Sequence, residues 1–230
     1  MSERVQKLFD TIAPRYDLLN SVLSLRTDRR WRRETVKKLR EPQFRRVLDL
    51  CAGTLALTQA LLEANPECVV RAVDFSQPML EKGWESLPLG LRDRVEIAVA
   101  DAMKMQQPSQ SFDGVMCAYG MRNIDDNALV LRKIREMLKP GGRLVVLEFF
   151  KPEGILSKLF NATYSQVVIP TLGRFISGHP EAYRYLRDSV RGYYTPSAFC
   201  ELLKSAGFVH VKAKPLTGGV SHVVTAEVAA

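Results

Sequence analysis

The chain has 230 residues, of which 46% are hydrophobic and 25% are charged, and it carries a formal net charge of +8. This composition is typical of a globular protein and excludes the disordered and fibrous classes. The length allows one sizeable core, so we expect a single domain over residues 1–230. No stretch approaches the roughly 20 consecutive apolar residues of a membrane-spanning helix, and the N-terminus lacks the apolar core of a secretory signal. We therefore expect a cytoplasmic protein.

Basic residues are concentrated near the start of the chain. They are consistent with a solvated helix face, with contact to an anionic membrane surface, or with nucleic acid binding. The sequence lacks the interleaved aromatic and basic residues of an RNA-binding sheet, so we expect no nucleic acid partner. The early basic residues are Arg26, Arg29, Arg30, Arg32, Arg33, Lys37, Lys38 and Arg40.

The four cysteines are scattered through the chain without the spacing of a metal site. Each stands among apolar residues, where a free thiol usually serves as a small buried hydrophobe. We therefore expect no metal site, and we expect all four side chains to be buried. They are Cys51, Cys68, Cys117 and Cys200.

From residue 46 onward, predicted strands and helices alternate. RVLDL (46–50) predicts a strand, CAGT a glycine turn, and LALTQALLEA a helix with apolar residues at helical spacing. VVRAVD (69–74) predicts a second strand, and SQPMLEKGWESL predicts a helix with Ser76 as its N-cap. VEIAVAD (95–101), FDGVMCAY (112–119) and GRLVVLEFF (142–150) predict further strands, and NALVLRKIREML (127–138) a helix before the last of them.

The second half of the chain departs from this alternation. Residues 152–186 are apolar and aromatic but punctuated by Pro and Gly, and they predict an inserted helical cover. TPSAFCELLKSAGF predicts a helix with Thr195 as N-cap and Gly207 as C-terminal stop. Two antiparallel strands around residues 217–219 then close the fold. The predicted parts are an N-terminal helical segment (1–45), a cofactor-binding core (46–150), a cover insertion (151–194) and a C-terminal helix with a strand pair (195–230).

These units predict an α/β fold. Strands that alternate with helices at this spacing form a parallel sheet with helices on both faces. The expected sheet is doubly wound, Rossmann-like and seven-stranded, mostly parallel with an antiparallel C-terminal hairpin. In such sheets ligands bind at the carboxyl ends of the strands, where the strand order reverses.

Acidic residues follow three of the predicted strands. Asp49 and Gly53 lie at the end of the first strand, Asp74 at the end of the second and Asp101 at the end of the third. A glycine turn followed about twenty residues later by an acid is typical of a site that binds a ribose. The chain lacks the GxGxxG motif of a dinucleotide site, and Asp101 beside Ala102 suits an adenine ring. These residues favour a nucleoside over a dinucleotide.

Several motifs also occur together in one enzyme family. LFDTIAPRYDLLNSVLSL (8–25) with WRR (31–33), VLDLCAGT (47–54) and AVDFSQPML (72–80) lie in the first half. YGMRNIDD (119–126), LKPGGRLVVLEF (138–149), YRYLRDSV (183–190), AGF (206–208) and TGGVSHVV (217–224) follow. Over nearly its whole length the chain resembles the ubiquinone/menaquinone biosynthesis C-methyltransferase family. Its IAxxYDxxN and GMRN elements are more diagnostic than the LKPGG strand, which generic methyltransferases share.

The resemblance implies S-adenosylmethionine as methyl donor and a polyprenylated quinol as acceptor. It implies donor contacts from Thr54, Asp74, Asp101 and Ala102. Where the family usually has GTGDL this chain has GTLAL, so Leu55 stands where a glycine would let the methionine end approach, and Ala56 where an acid is common. Ala118 likewise stands in place of a serine. The full set expected to bind the donor is Asp49, Gly53, Thr54, Asp74, Phe75, Asp101, Ala102 and Ala118.

Methyl transfer from a sulfonium needs alignment and a nucleophilic carbon, but no metal. A hydroquinone carbon becomes nucleophilic when a neighbouring hydroxyl loses its proton, so the site must stabilise a phenolate. We expect Arg122 to hold the developing oxyanion and Asn123 to fix the orientation, because both follow the fourth strand. Tyr16, with Asp17, is expected to fold over the site as donor and proton relay. His179 in the cover is an alternative base.

The isoprenoid tail of the implied acceptor requires an apolar tunnel or a membrane-facing cover. Apolar residues between positions 156 and 176 are candidates, with core packing or a homodimer interface as the alternatives. Together with the early basic residues they lead to the hypothesis of peripheral association with the inner membrane face. Two other functions stay open: methylation of another small phenolic or natural-product acceptor, and a catalytically impaired scaffold subunit of a quinone-biosynthesis assembly. The type of quinol ring and the length of its tail also stay open.

Overall fold

A seven-stranded sheet lies at the centre of the computed structural model, which describes residues 10, 11, 13, 27–154 and 180–230. The strands are β1 (Arg46–Leu50), β2 (Val69–Asp74), β3 (Val95–Val99), β4 (Phe112–Ala118), β5 (Leu138–Glu148), β6 (Val209–Leu216) and β7 (Ser221–Glu227). The helices within these ranges are α1 (Asp28–Val36), α2 (Ala56–Ala64), α3 (Gln77–Ser86), α4 (Leu89–Arg92), α5 (Asn127–Met137), α6 (Pro180–Gly192) and α7 (Pro196–Ser205). Short 3-10 turns occupy Met121–Asn123 and Thr217–Gly219.

The strand order is β3-β2-β1-β4-β5-β7-β6. The first five strands in this order, from β3 at the edge to β5, run parallel to one another. The direction in which the chain adds strands to the sheet reverses between β1 and β4. The carboxyl ends of these two strands therefore flank the crevice in which such sheets bind ligands. β7 runs antiparallel to β5, with His222 opposite Glu148, and β6 runs antiparallel to β7. The predicted doubly wound, mostly parallel sheet with an antiparallel C-terminal pair is confirmed.

Alternating strand residues build an apolar core on each face of the sheet, because successive side chains point to opposite faces. One core joins β1, β4 and β5 to α5 and α7, and the other joins them to α1, α2 and α3. The first includes Leu48, Val146, Ile134 and Phe199. The second includes Val47, Val145, Trp31 and Leu61.

The predicted helix caps are present. The Ser76 side chain accepts a hydrogen bond from the Met79 N–H at 3.4 Å, and the Thr195 side chain accepts one from the Ala198 N–H at 3.2 Å. Gly207 has a φ of +88° just beyond α7. Glycine adopts this left-handed conformation without steric cost, so it ends the helix there.

Three details differ from the predictions. β3 ends at Val99, so Asp101 lies in the turn after the strand, where its carboxylate accepts the Met103 N–H at 2.9 Å. β5 begins at Leu138 rather than at residue 142, because Leu138 already pairs with Phe112 of β4. Of the four free cysteines, Cys68 and Cys117 are buried as expected, whereas Cys51 and Cys200 are partly exposed.

Much of the predicted N-terminal segment and most of the cover insertion lie outside the described residues. Tyr16, Asp17 and His179 are among the residues concerned. In the ranges that the structure does describe, no helix is both long and apolar enough to cross a membrane.

Candidate active site

The turn between β1 and α2 brings main-chain groups next to the end of β2. Cys51, Gly53 and Leu55 have φ values of +57°, +53° and +60°, in the left-handed region. The Gly53 N–H donates to Oδ2 of Asp74 at 2.9 Å. The predicted glycine turn is thus present, and it places the Gly53 N–H against this carboxylate.

Asp74 is the acidic residue around which this half of the site is built. Its Oδ1 accepts the Ser76 N–H at 2.9 Å, and its side chain is almost completely buried. Burial raises the pKa of Asp74 to about 6, although the N–H groups of Ser76, Gly53 and Phe75 lower it. The Ser76 hydroxyl also donates to Asp10 at 2.5 Å, which places Asp10 next to this half of the site.

A narrow cleft lies between the ends of β1, β2 and the turn after β3. Its enclosed part measures about 10 Å³, room for roughly one water molecule, so a bound purine ring requires side chains of the lining to move apart. Four of the residues predicted to bind the cofactor line it, and the other lining residues are apolar or small. The lining is Leu50, Cys51, Val73, Asp74, Phe75, Ala100, Asp101, Ala102, Met103 and Ile124.

The other four residues predicted to bind the cofactor are not in this lining: Gly53, described above, and Asp49, Thr54 and Ala118. Asp49 is 1% exposed and accepts a hydrogen bond from the Thr58 hydroxyl at 2.5 Å. Burial raises the pKa of Asp49 to about 7. Thr54 is buried in the turn, and Ala118 packs against the core that contains α1 and α2. Through its hydrogen bond with Thr58, Asp49 anchors the first turn of α2 to the end of β1.

The side chain of Leu55 points into the core, away from the cleft. It is 1% exposed and packs against α3 at Gly83. A Cβ atom at Gly83 would lie 2.7 Å from Leu55 Cγ and 2.6 Å from the Thr54 carbonyl carbon, so the glycine makes room for this turn. Leu55 is absent from the lining of the cleft, so the departure from the GTGDL pattern does not narrow it.

A buried ion pair forms the second half of the site, where β4 and β5 end. Nη1 of Arg122 donates to Oε1 of Glu148 at 2.6 Å, and the two side chains are 6% and 0% exposed. The Glu148 carboxylate also accepts the backbone N–H groups of Arg122 at 3.2 Å and Phe149 at 2.8 Å. Burial raises the pKa of Glu148, an effect that Arg122 and these N–H groups oppose. These contacts hold the Arg122 guanidinium in one orientation, and its ion pair with Glu148 is buried rather than on the surface.

Aromatic rings surround this guanidinium. The Tyr119 and Phe149 rings stack with centroids 4.5 Å apart, and the Arg122 guanidinium carbon lies 5.7 Å from the Phe149 centroid. Trp31 of α1 packs edge-on against Phe149 at 6.0 Å. A cation beside aromatic faces is stabilised by their quadrupoles. The environment suits a fixed positive charge with little access to water.

Asn123 takes part in the same network. Its Nδ2 donates to the Tyr119 carbonyl at 3.2 Å, and that carbonyl also accepts Arg122 Nη1 at 2.6 Å. Its Oδ1 lies 2.7 Å from the Tyr185 hydroxyl on α6. The structure therefore joins Arg122 and Asn123, both predicted from the sequence, in one hydrogen-bonded group.

The sequence analysis missed two members of this group, Glu148 and Tyr185. Glu148 had a signal, because an acid at the end of an apolar strand that is buried on both faces needs a buried cation. Tyr185 lies in the YRYLRDSV motif, but nothing local links it to Asn123, which is 62 positions away.

Comparison with known proteins identifies the family. A model of the ubiE/COQ5 methyltransferase family matches residues 1–227. A demethylmenaquinone methyltransferase from Thermus thermophilus is 42% identical over 217 residues, which cover 94% of this chain and 97% of the relative. The ubiquinone/menaquinone biosynthesis C-methyltransferase UbiE of Geotalea uraniireducens is 37% identical over 229 residues, covering 98% and 96%.

Solved structures show the same architecture. One chain of the complex between the Haloferax volcanii Trm112 methyltransferase activator and a methyltransferase has a TM-score of 0.71 at 15% identity, covering 96% of this chain and 98% of that chain. A SAM-dependent methyltransferase from Thermotoga maritima has a TM-score of 0.66 at 17% identity, with the same coverage. These identities bear on the fold alone, and they agree with the predicted Rossmann-like class. Because the family model and the relatives match nearly the whole chain, this protein belongs to the ubiE/COQ5 methyltransferase family.

Proposed function

We propose that the protein transfers the methyl group of S-adenosylmethionine to a ring carbon of a polyprenylated quinol, either demethylmenaquinol or a 2-polyprenyl-methoxy-benzoquinol. The relatives named above support this substrate class. The observation that carries the proposal is the buried Arg122–Glu148 pair at the carboxyl ends of β4 and β5, on the same edge of the sheet as the cleft with Asp74. A fixed cation beside a nucleoside site suits a reaction that forms a phenolate.

The donor half of the site is chemically suited to S-adenosylmethionine, which supplies an already activated methyl group when bound. Backbone N–H groups of Gly53, Ser76 and Phe75 hydrogen-bond to the Asp74 carboxylate, whose two oxygens have about four lone-pair sites, so acceptor capacity remains for a ribose hydroxyl. Ala102, Met103 and Ile124 offer apolar contact to an adenine ring, and Asp101 an acceptor for its amino group. We propose that these residues, with Gly53 and Phe75, hold the donor, and that Asp49, Thr54 and Ala118 support them.

Arg122 stabilises the negative charge that develops on the acceptor oxygen in this proposal. Its guanidinium is preorganised by Glu148 and by the Tyr119 carbonyl, so little reorganisation is needed when the phenolate forms. Before the phenolate forms, Glu148 neutralises Arg122, so the protein buries no net charge at this position. When the phenolate forms, the guanidinium attracts its negative oxygen. Tyr16 stays the predicted proton relay above the ring.

Methylation of short-chain quinols tests the proposal. Purified protein, S-adenosylmethionine and either a prenylated naphthoquinol or a prenylated methoxy-benzoquinol are incubated anaerobically, and the product is identified by mass spectrometry. We expect C-methylation of at least one ring class. Donor binding without turnover of either quinol would favour another phenolic acceptor, whereas absence of donor binding would favour the scaffold function.

Leu55→Gly is expected to lower stability without changing donor affinity. Loss of a buried leucine costs about 2–5 kcal/mol, and relief of the left-handed leucine returns about 1–2 kcal/mol. We expect a net loss of about 1–3 kcal/mol in urea unfolding, with the dissociation constant of S-adenosylmethionine in calorimetry unchanged within about twofold. Leu57→Gly, at a buried position inside α2 where the backbone is helical, should cost more. A large change in donor affinity for Leu55→Gly would show that this side chain shapes the donor site.

Helix α1 presents a basic surface that supports peripheral membrane contact. Trp31 is 2% exposed and its Nε1 donates to Thr217 at 2.9 Å, so one side of the helix is docked on the fold. Arg29, Arg30 and Arg33 on the other side are exposed, and among the described residues they form no ion pair. We propose that these three arginines contact anionic headgroups.

Sedimentation with anionic liposomes at low salt tests this surface. Near a membrane each basic residue contributes about 1 kcal/mol, so replacing all three arginines with glutamine should weaken binding about 100-fold. A control that replaces Arg45, Lys104 and Arg132 removes the same charge from other surfaces and should lose much less. Equal losses would show that only net charge matters.

Dimerisation stays a prediction, which sedimentation equilibrium of the purified protein tests.

A further inference from the structure

The hydroxyl of Tyr185 extends the hydrogen-bonded group around Arg122. Helix α6 packs on the 3-10 turn Met121–Asn123, and the Tyr185 hydroxyl lies 2.7 Å from Oδ1 of Asn123. The residue that directly follows α6 makes a similar contact, since the Tyr193 hydroxyl lies 3.2 Å from Oδ1 of Asn127. Two tyrosine–asparagine hydrogen bonds thus hold α6 against the segment that follows β4.

The direction of the Tyr185 hydrogen bond follows from its neighbours. The Tyr119 carbonyl can only accept, so the Asn123 group 3.2 Å away from it must be the Nδ2 donor. Oδ1 of Asn123 therefore faces Tyr185 and can only accept. The Tyr185 hydroxyl must be the donor in this bond, and a phenol has a single proton.

The Tyr185 hydroxyl can therefore play only one hydrogen-bonding role toward a ligand. Its proton is committed to Asn123, so its oxygen can interact with a further group only as a hydrogen-bond acceptor. Burial raises the pKa of Tyr185, so the phenol keeps its proton at neutral pH. A ligand hydroxyl would be accepted at this oxygen, whereas a ligand carbonyl would meet a lone pair.

We propose that Tyr185 is an acceptor-binding residue that selects the reduced, hydroxyl-bearing ring over the oxidised quinone. The quinol hydroxyl donates to Tyr185, Asn123 holds the Tyr185 proton away from the ring, and Arg122 faces the oxygen that becomes a phenolate. This inference rests on the proposed function. It assigns to Asn123 the task of orienting Tyr185, and it explains how the site avoids binding a quinone, which has no nucleophilic carbon to methylate.

Binding of the two redox forms tests the inference. The probes are 2-prenyl-1,4-naphthoquinol, kept reduced under anaerobic conditions, and the corresponding quinone, each titrated in the presence of S-adenosylhomocysteine so that no reaction follows. A site that must hydrogen-bond a substrate hydroxyl rejects an analogue that lacks it. We expect the wild-type protein to bind the quinol at least about tenfold more tightly than the quinone, since one hydrogen bond is gained and one repulsion avoided.

Tyr185→Phe should weaken the quinol about tenfold and leave the quinone unchanged or slightly tighter, so that the preference disappears. Tyr193→Phe is the matched control, because it removes the same kind of tyrosine–asparagine hydrogen bond just beyond the end of α6, where Tyr193 packs in an aromatic cluster with Phe150 and Phe199. It should lower thermal stability and keep the preference. Asn123→Ala releases the Tyr185 proton to donate to a quinone carbonyl, so it should also raise quinone affinity.

The outcomes separate this inference from the proposed function. If the wild-type protein methylates the quinol but Tyr185→Phe keeps the redox preference, or weakens both forms equally, Tyr185 has only a structural role and the inference is overturned. If the wild-type protein neither binds nor methylates a quinol of either ring class, the proposed function fails and the inference fails with it.

Discussion

Replacing Glu148 with glutamine is expected to reduce kcat at least about 100-fold and to lower the free energy of unfolding by about 3–5 kcal/mol. The substitution removes the charge that neutralises Arg122, and both side chains are almost fully excluded from solvent. The Arg122 N–H donates to Oε2 and the Phe149 N–H to Oε1, so the amide nitrogen of the glutamine faces one of these two donors whichever way the amide is turned. An uncompensated buried cation and unpaired donors together account for the expected loss.

Two further variants separate stability from catalysis. Glu41→Gln also removes a carboxylate that pairs with an arginine, Arg143, but Glu41 is 47% exposed, so it should cost less than about 1 kcal/mol. The double variant Arg122→Met/Glu148→Leu replaces the whole pair with apolar groups and should recover part of the stability, because no buried cation remains, although the N–H groups of Arg122 and Phe149 still lose their acceptor. It should not recover turnover. Urea unfolding and the anaerobic quinol assay provide the two measurements, and wild-type turnover by the double variant would exclude Arg122 from the mechanism.

Asp74→Asn is expected to weaken S-adenosylmethionine binding about 30- to 100-fold, since charge-assisted hydrogen bonds to the ribose contribute about 2–3 kcal/mol. The wild-type affinity should also depend on pH. Burial raises the pKa of Asp74 to about 6, so the carboxylate becomes protonated as the pH falls through 6. Below that value the affinity should fall by about a factor of ten per pH unit, and above about pH 7 it should be constant.

Calorimetric titration between pH 5 and 8 checks both parts. Asp113→Asn is a matched control, because the Asp113 carboxylate also accepts two backbone N–H groups, those of Arg45 and Arg46, but at the amino end of β4. Its donor affinity should equal that of the wild type. In Asp74→Asn the pH dependence should disappear along with the tight binding. A wild-type affinity that does not change from pH 5 to pH 7 would show that ionised Asp74 does not hold the ribose.

Local sequence patterns determined the elements and the edge of the sheet at which the site lies. The strand-turn-helix units around Gly53 and Asp74 were readable because apolar periodicity, glycine and cap residues act within a few positions. Since parallel strands share one carboxyl edge, Asp74, Asp101 and Arg122 could be assigned to one region before any contact was known. The family motifs then added the donor and the class of acceptor.

Contacts between distant residues required the tertiary structure. Arg122 and Glu148 are 26 positions apart and meet because β4 and β5 are neighbours, while Tyr185 reaches Asn123 from a helix beyond the cover insertion. The direction of the Leu55 side chain likewise depends on the space that Gly83 leaves in another helix. Local periodicity carries no information on which distant side chains share a buried volume, because that depends on strand order and packing. The sequence by itself therefore determined the fold and the edge of the sheet at which the proposed site lies, and the tertiary structure decided how Arg122, Glu148, Asn123 and Tyr185 are paired and oriented.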